Sequence, residues 1–303
     1  MTAATVLQLS DTHFLEPGAL PEGSGAYDTA EAFEAVLDRI GQGGGVDLAV
    51  VTGDVADHGR PAQYRLAADR FSRLPAPVNV CPGNHDTDVA FTTCLGRPGV
   101  STSRVIELGP WAMVFVDTCA GLFEVDDHGR AVDADYDVRL HSDGTLGGGE
   151  AAWVRDVVAT TDAEHVFLWL HHPPVRLPIY DNETYVAAWA ELLSDLPSVR
   201  GMGAGHTHVP TEHELDGVPI FVAPSFKNNF DLDAGVFLPP GYRTYTFDDD
   251  GTVTSEVRLV DADDRWPRRP LPRAVRALFA GELTFAELDE IIRRKAATAT
   301  GGS

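Results

Sequence analysis

Five short apolar runs in this chain each end in residues able to hold a metal. "VLQLSDTH" ends in Asp11 and His13, "DLAVVTGD" in Asp54, and "NVCPGNHD" in Asn84 and His85. "HVFLWLHHPP" ends in His171 and His172, and "GMGAGHTH" in His206 and His208. Runs of this length, bounded by Gly and Pro, predict buried strands. In α/β sheets, ligands bind at the carboxyl ends of strands. A chain with a carboxylate, amide or imidazole at five strand ends is therefore constrained to bring those ends together. Asp11 and His13 are two apart, as are His206 and His208, so on an extended backbone each pair points one way.

The donor types narrow the chemistry. Two Asp, one Asn and six His are on offer, and a set of seven, with four of the His, is too many for one tetrahedral metal. Seven suit two metals sharing a carboxylate. Mixed oxygen and nitrogen donors without thiolate point to Mn, Fe, Zn or Co. Two such ions about 3.5–4 Å apart clamp a phosphoryl group and activate a water between them.

The intervening sequence alternates strand and helix. Asp28, with Glu31 three positions on, predicts a helix start by a capping box. Ala32, Phe33, Val36, Leu37 and Ile40 give that helix an apolar face, and the glycines from Gly41 to Gly45 end it. Further helices are expected over 61–74, across "GGGEAAWVRDVVA" and over 183–196. "RVIEL" and "WAMVFVDT" read as a hairpin turning at Gly109-Pro110. Strands are expected at 199–204, 209–215, 218–223, 242–248 and 252–260. A βαβα first half and a strand-rich second half predict two packed sheets with helices outside.

Two segments stand apart from that pattern. Residues 119–149 are long for a connection and carry seven carboxylates against Arg130 and Arg139, the length expected of a lid or a surface excursion. From Asp264 the balance inverts, with eight basic side chains against five acidic ones. Pro267, Pro270 and Pro272 stiffen that stretch, and Thr284 with Glu287 makes a second capping box. The expected division is a domain over 1–260 and a helical extension over 261–303. Leu288, Ile291 and Ile292 give the last helix an apolar side, suited to docking on the acidic body or on a second copy in a homodimer.

Net charge of −23 argues against a nucleic-acid partner held by a basic surface, but bound metals would supply local positive charge to a phosphate. Three cysteines without paired spacing give no disulfide framework and suggest a reducing compartment. With no leader-like start and no membrane-length apolar run, a cytoplasmic location without membrane contact is the expectation.

"DTH", "GD", "GNHD", "HHPP" and "GHTH", in this order, resemble the calcineurin-like metallophosphoesterases over roughly residues 4–225. "QLSDTH", "VTGDVADHG", "CPGNHD" and "LHHPPV" are most similar to the bacterial class III cyclic-nucleotide phosphodiesterases and related glycerophosphodiesterases. The resemblance implies a four-layer αββα sandwich of two mixed sheets flanked by helices, here with a C-terminal helical tail. It implies that Asp11, His13 and His208 bind one metal, that Asn84, His171 and His206 bind the other, and that Asp54 bridges them. His171, and not His172, is the ligand in that pattern. His85 would contact the phosphate and protonate the leaving oxygen, while Asp86 would orient His85 or cap the next helix. His172, Asn84 and Lys227 are candidate substrate contacts. The implied reaction is in-line attack by a metal-held hydroxide on a small phosphodiester, of the 3′,5′-cyclic nucleotide or glycerophosphodiester type. The long 119–149 segment departs from the compact pattern expected of the cyclic-nucleotide enzymes and keeps open an alternative, a phosphomonoesterase acting on a nucleotide or biosynthetic intermediate, although its acidic character would tend to repel a highly charged monoester. A non-catalytic metal-binding scaffold is a minor third reading, disfavoured because all seven ligands and His85 are present.

Overall fold

The computed structural model describes residues 3–19, 26–41, 43–120, 124–125, 131–132, 143–284 and 287–288. Two six-stranded sheets form its centre. The first runs β16 (Val253–Leu259), β15 (Gly241–Phe247), β1 (Ala4–Leu9), β2 (Leu48–Thr52), β3 (Val78–Cys81) and β4 (Val100–Ser101). From β1 to β4 the neighbours are parallel, while β15 pairs antiparallel with both β1 and β16. The second runs β11 (Glu212–Leu215), β12 (Val218–Val222), β10 (Val199–Ala204), β9 (His165–Trp169), β6 (Trp111–Phe115) and β5 (Val105–Leu108). Its four central strands are parallel and its two edges antiparallel, the β5–β6 edge being the expected hairpin.

The strands alternate between two buried environments, as a period of two requires. Leu7 and Leu9 of β1, with Ala49 and Val51 of β2, face a core shared with α1 (Thr29–Ile40) and α2 (Pro61–Phe71). Val6, Leu48 and Val50 face the other way, into a layer between the sheets. The second sheet mirrors this. Val166 and Leu168 pack toward α4 (Glu150–Thr160) and α5 (Glu183–Ser194), while Phe167 and Trp169 turn inward. The helices α3 (Asp88–Leu95) and α6 (Arg273–Phe279) complete six among the described residues. This is the expected αββα sandwich.

Local signals act where the sequence placed them. The Asp28 carboxylate accepts from Ala30 N and Glu31 N and caps α1. Gly203 of β10 leaves room for the Trp169 indole, which would overlap any Cβ there. Polar side chains also cross between the sheets, Gln8 and Arg243 among them. Gln8 is fully buried; its amide donates to Thr52 Oγ1 at 2.8 Å and to Ala204 O at 2.9 Å, and its oxygen accepts from the Tyr245 hydroxyl. Every part of that amide is paired, which is the condition for burying it.

In the acidic segment, β7 (Glu124–Val125) pairs with β8 (Ala131–Val132); His128 and His141 lie outside the described residues. The chain beyond β16 returns to the body. Trp266 is buried in the first core, and Phe237 N and Leu271 N bond across to Arg269 O and Gly235 O. That ties the tail to the hairpin of β13 (Asn229–Asp231) and β14 (Val236–Leu238). Thr284 and Glu287 make the capping box, while Ile291 and Ile292 lie outside the described residues. No described helix is long and apolar enough to cross a membrane.

Candidate metal centre

The carboxyl ends of β1, β2, β3, β9 and β10 meet at one edge of the sandwich. The first sheet supplies Asp11, His13, Asp54, Asn84 and His85, and the second supplies His171, His172, His206 and His208. Backbone bonds zip these loops together. Asp11 N donates to Gly53 O, His13 N to Asp54 O and Gly205 N to His171 O. His206 N crosses between the sheets to Asp11, 3.1 Å from each carboxylate oxygen. Gly53 is required here, because a Cβ would lie 2.5 Å from His171 Nδ1.

The expectation of extended pairs fails. β1 ends at Leu9, and Asp11 and His13 lie beyond it with φ of 52° and 41°. Asp54, His206 and His208 are left-handed too, and among the described residues only one other non-glycine residue, Asp216, shares that conformation. Left-handed backbone costs a side-chain-bearing residue roughly 1–3 kcal/mol, and such strain concentrates at functional sites. The strands thus end before the ligands, and tight loops aim them.

The histidines show one pattern of tautomers. His171 Nδ1 lies 2.8 Å from Thr52 O, His85 Nδ1 2.8 Å from Asp57 O and His208 Nδ1 2.5 Å from Asn228 Oδ1. Each partner is an acceptor, so each Nδ1 carries the proton. His13 Nδ1 lies 2.9 Å from Asp57 Oδ1. In all four rings Nε2 then faces the central carboxylates: His171 and His13 each at 3.4 Å from Asp54, His85 at 4.0 Å from Asp54, and His208 at 3.2 Å from Asp11. Asn84 Oδ1 lies 3.0 Å from His171 Nε2 and 3.1 Å from His206 Nδ1. His172 joins the same group, its ring 4.3 Å from that of His206 and its Nδ1 2.8 Å from Thr118 Oγ1.

The donors form overlapping triads, each with its ligand atoms within 4.8 Å: Asp11–His13–His208, Asp11–Asp54–His171 and His171–His172–His206. Without a cation the arrangement is unfavourable. Burial, then Lys227, lowers the His13 imidazole to about 4, so it is neutral. Among the described residues its buried Nε2 has no hydrogen-bond partner, and it faces the Asp54 carboxylate. A lone pair against a carboxylate is resolved by a positive ion between them, and the buried Nε2 of His206 is likewise unpartnered. Burial alone would raise Asp11, but His208 holds its carboxyl at about 2. Burial opposes the charge on Asp54 too, and His171 and His85 keep it well below the ordinary range. The residues present therefore fit a pair of divalent metals.

Two residues take roles not assigned from the sequence. Asp57 is buried and touches both His13 Nδ1 and, at 2.7 Å, Lys227 Nζ. It lies inside "VTGDVADHG", where a polar residue on a buried loop was the available signal. Asp86 neither orients the His85 ring nor caps α3. It accepts from Gly83 N, Val55 N, Ala56 N and the Tyr64 hydroxyl, tying the Asp54 loop to the Asn84 loop. Burial, then Asp54, pushes its carboxyl up to about 6. Lys227 is engaged by Asp57 at the rim of the site.

Residues 4–210 match the family of calcineurin-like phosphoesterases. The chain is 29% identical over 270 residues to the 3′,5′-cyclic adenosine monophosphate phosphodiesterase CpdA of Escherichia coli (strain K12), covering 84% of this chain and 90% of that protein. It is 23% identical over 280 residues to a probable glycerophosphodiester phosphodiesterase GpdQ of Arcobacter nitrofigilis, with 84% and 93% covered. A solved dimetal phosphatase from Danio rerio shares the fold with a TM-score of 0.51 at 15% identity, over 86% of this chain and 100% of that one. With that match and the paired His/Asp clusters, this chain belongs to the calcineurin-like phosphoesterases and is a metal-dependent phosphoric ester hydrolase.

Proposed function

We propose that this hydrolase is a phosphodiesterase for small diesters, of the 3′,5′-cyclic nucleotide or glycerophosphodiester type. The observation that carries the reading is the position of Asp54, with Nε2 of His13, His171 and His85 all directed at its carboxylate. The likeness to relatives named as phosphodiesterases of cyclic AMP and glycerophosphodiesters supports it.

Asp11, His13 and His208 would hold one divalent ion and Asn84, His171 and His206 a second, with Asp54 available to both. Mn, Fe, Zn and Co all suit these donors. Bound there, two such ions supply positive charge for the phosphoryl oxygens and activate water. His85 is the proton donor. Its Nδ1 proton is fixed on Asp57 O, so Nε2 is the atom that would take up the proton released by the attacking water and pass it to the leaving oxygen. Burial lowers the His85 imidazole, so a proton taken up on Nε2 leaves readily. His172 lines the pocket beside His206, and Lys227, braced by Asp57, adds positive field at the rim.

The test is a paired assay on Mn²⁺-reconstituted protein, comparing bis-p-nitrophenyl phosphate with p-nitrophenyl phosphate, with a chelator control. A strong, chelator-sensitive diester preference is expected. A monoester preference would replace this reading with a phosphatase.

A further inference from the structure

Tyr180 lies in the loop between β9 and α5, closed by a bond from Tyr180 N to Leu177 O at 2.9 Å. Its ring stacks on His206, with centroids 5.2 Å apart and planes 29° from parallel. Two other segments and a bond within the loop itself fix it. Asp181 N donates to Asp143 Oδ2 at 3.2 Å, bringing in the end of the acidic segment. Asn182 Nδ2 donates to Val175 O at 2.9 Å. Beyond α6, Gly281 packs so closely on Pro178 that a Cβ there would lie 2.9 Å from the proline ring. The ring is held, while the hydroxyl has no hydrogen-bond partner among the described residues. A phenol hydroxyl is an O–H donor at neutral pH.

Phosphate oxygens need donors, and this acidic chain offers few cations near the centre. The ammonium of Lys227 is engaged by Asp57. A neutral hydroxyl on a ring stacked against His206 is suited to the task, since it adds no positive charge that the carboxylates of the centre would capture. Resting on the function proposed above, we propose that Tyr180 is a substrate-contact residue. Its ring walls the space over His206, and its hydroxyl donates to an oxygen of the bound phosphate ester. The C-terminal segment, through Gly281 and Pro178, braces that contact.

The experiment uses the full-length, Mn²⁺-loaded protein and its Tyr180→Phe and Tyr180→Ala variants. The readouts are metal content, affinity for inorganic phosphate, and kcat/KM on bis-p-nitrophenyl phosphate. Tyr180→Phe keeps the ring and removes the donor. It should retain two Mn²⁺ per chain, bind phosphate about 3–10-fold more weakly and lose a similar factor in kcat/KM, as expected for one neutral hydrogen bond. Tyr180→Ala should lose more of both. Phosphate affinity within twofold of wild type in Tyr180→Phe would overturn the proposal. So would a loss of Mn²⁺ in that variant, because Tyr180 would then merely support His206. If the wild type cleaves no diester yet Tyr180→Phe weakens phosphate binding, the contact stands and the diesterase reading is what fails.

Discussion

The imidazole of His13 is held between two carboxylates, with Nδ1 2.9 Å from Asp57 and Nε2 3.4 Å from Asp54. A proton on Nδ1 faces the Asp57 carboxylate, which leaves Nε2 as the nitrogen offered to a metal. Partners of this kind typically contribute 10–100-fold to metal affinity. Asp57→Asn should therefore weaken the tighter Mn²⁺ binding step or its partner by about that factor, and saturating Mn²⁺ should restore much of kcat. Unchanged affinity in a metal titration would remove Asp57 from the metal chemistry.

His85 and Asp54 should separate under mutation. His85→Ala removes a proton donor but no proposed metal ligand. It should keep both metals and lose about 10²–10⁴-fold in kcat. Asp54→Ala removes the carboxylate on which His13, His171 and His85 converge, and should lose the dinuclear site. Metal analysis beside steady-state kinetics distinguishes the two patterns; full metal content and activity in Asp54→Ala would refute its assignment.

Metal binding should release a proton. Burial would lower the His171 imidazole, but in the metal-free protein the Asp54 carboxylate outweighs it and raises it to about 9. His171 is then protonated at pH 7, whereas a metal ligand must be neutral. His13 and His206, lowered to about 4 and about 3, are already neutral there and release nothing. Because the proton competes with the metal, apparent affinity should rise with pH, by about tenfold per unit below the His171 value. Calorimetry in buffers of different ionisation enthalpy should show about one proton released at pH 7, declining as pH rises through about 9. No proton release at pH 7 contradicts this picture.

Gly203→Ala tests the layer between the sheets. The new methyl would overlap the Trp169 indole, which is fully buried. Overpacking of this kind costs about 1–3 kcal/mol. Urea denaturation should show that loss with an unchanged m-value; a stability equal to wild type would mean that the indole repacks freely.

The ligand loops were legible because two strict patterns coincide in them. Buried strands show as short apolar runs, and metal chemistry admits few residue types at their ends. The loop geometry was not legible. Asp11 and His13 read as an extended pair, yet both are left-handed, because residue identity does not encode the turn that follows a strand. The supporting residues were hidden for a different reason. Asp57 meets His13, Asp86 meets Val55 and Ala56, and Tyr180 meets His206 only after folding. No local spacing announces such contacts.

Gln8 gives the fold a further property. Four of the proposed donors stand on one sheet and three on the other, so the span between the two parts of the centre is a distance between sheets. Gln8 bonds to Thr52 on one side and Ala204 on the other, directly beneath the ligand loops. It acts as a gauge block for that gap. Close-packed interiors transmit strain, so a substitution in the apolar layer far from any ligand would be felt as a change in metal spacing. Which ion this centre prefers is then partly a property of its middle layer.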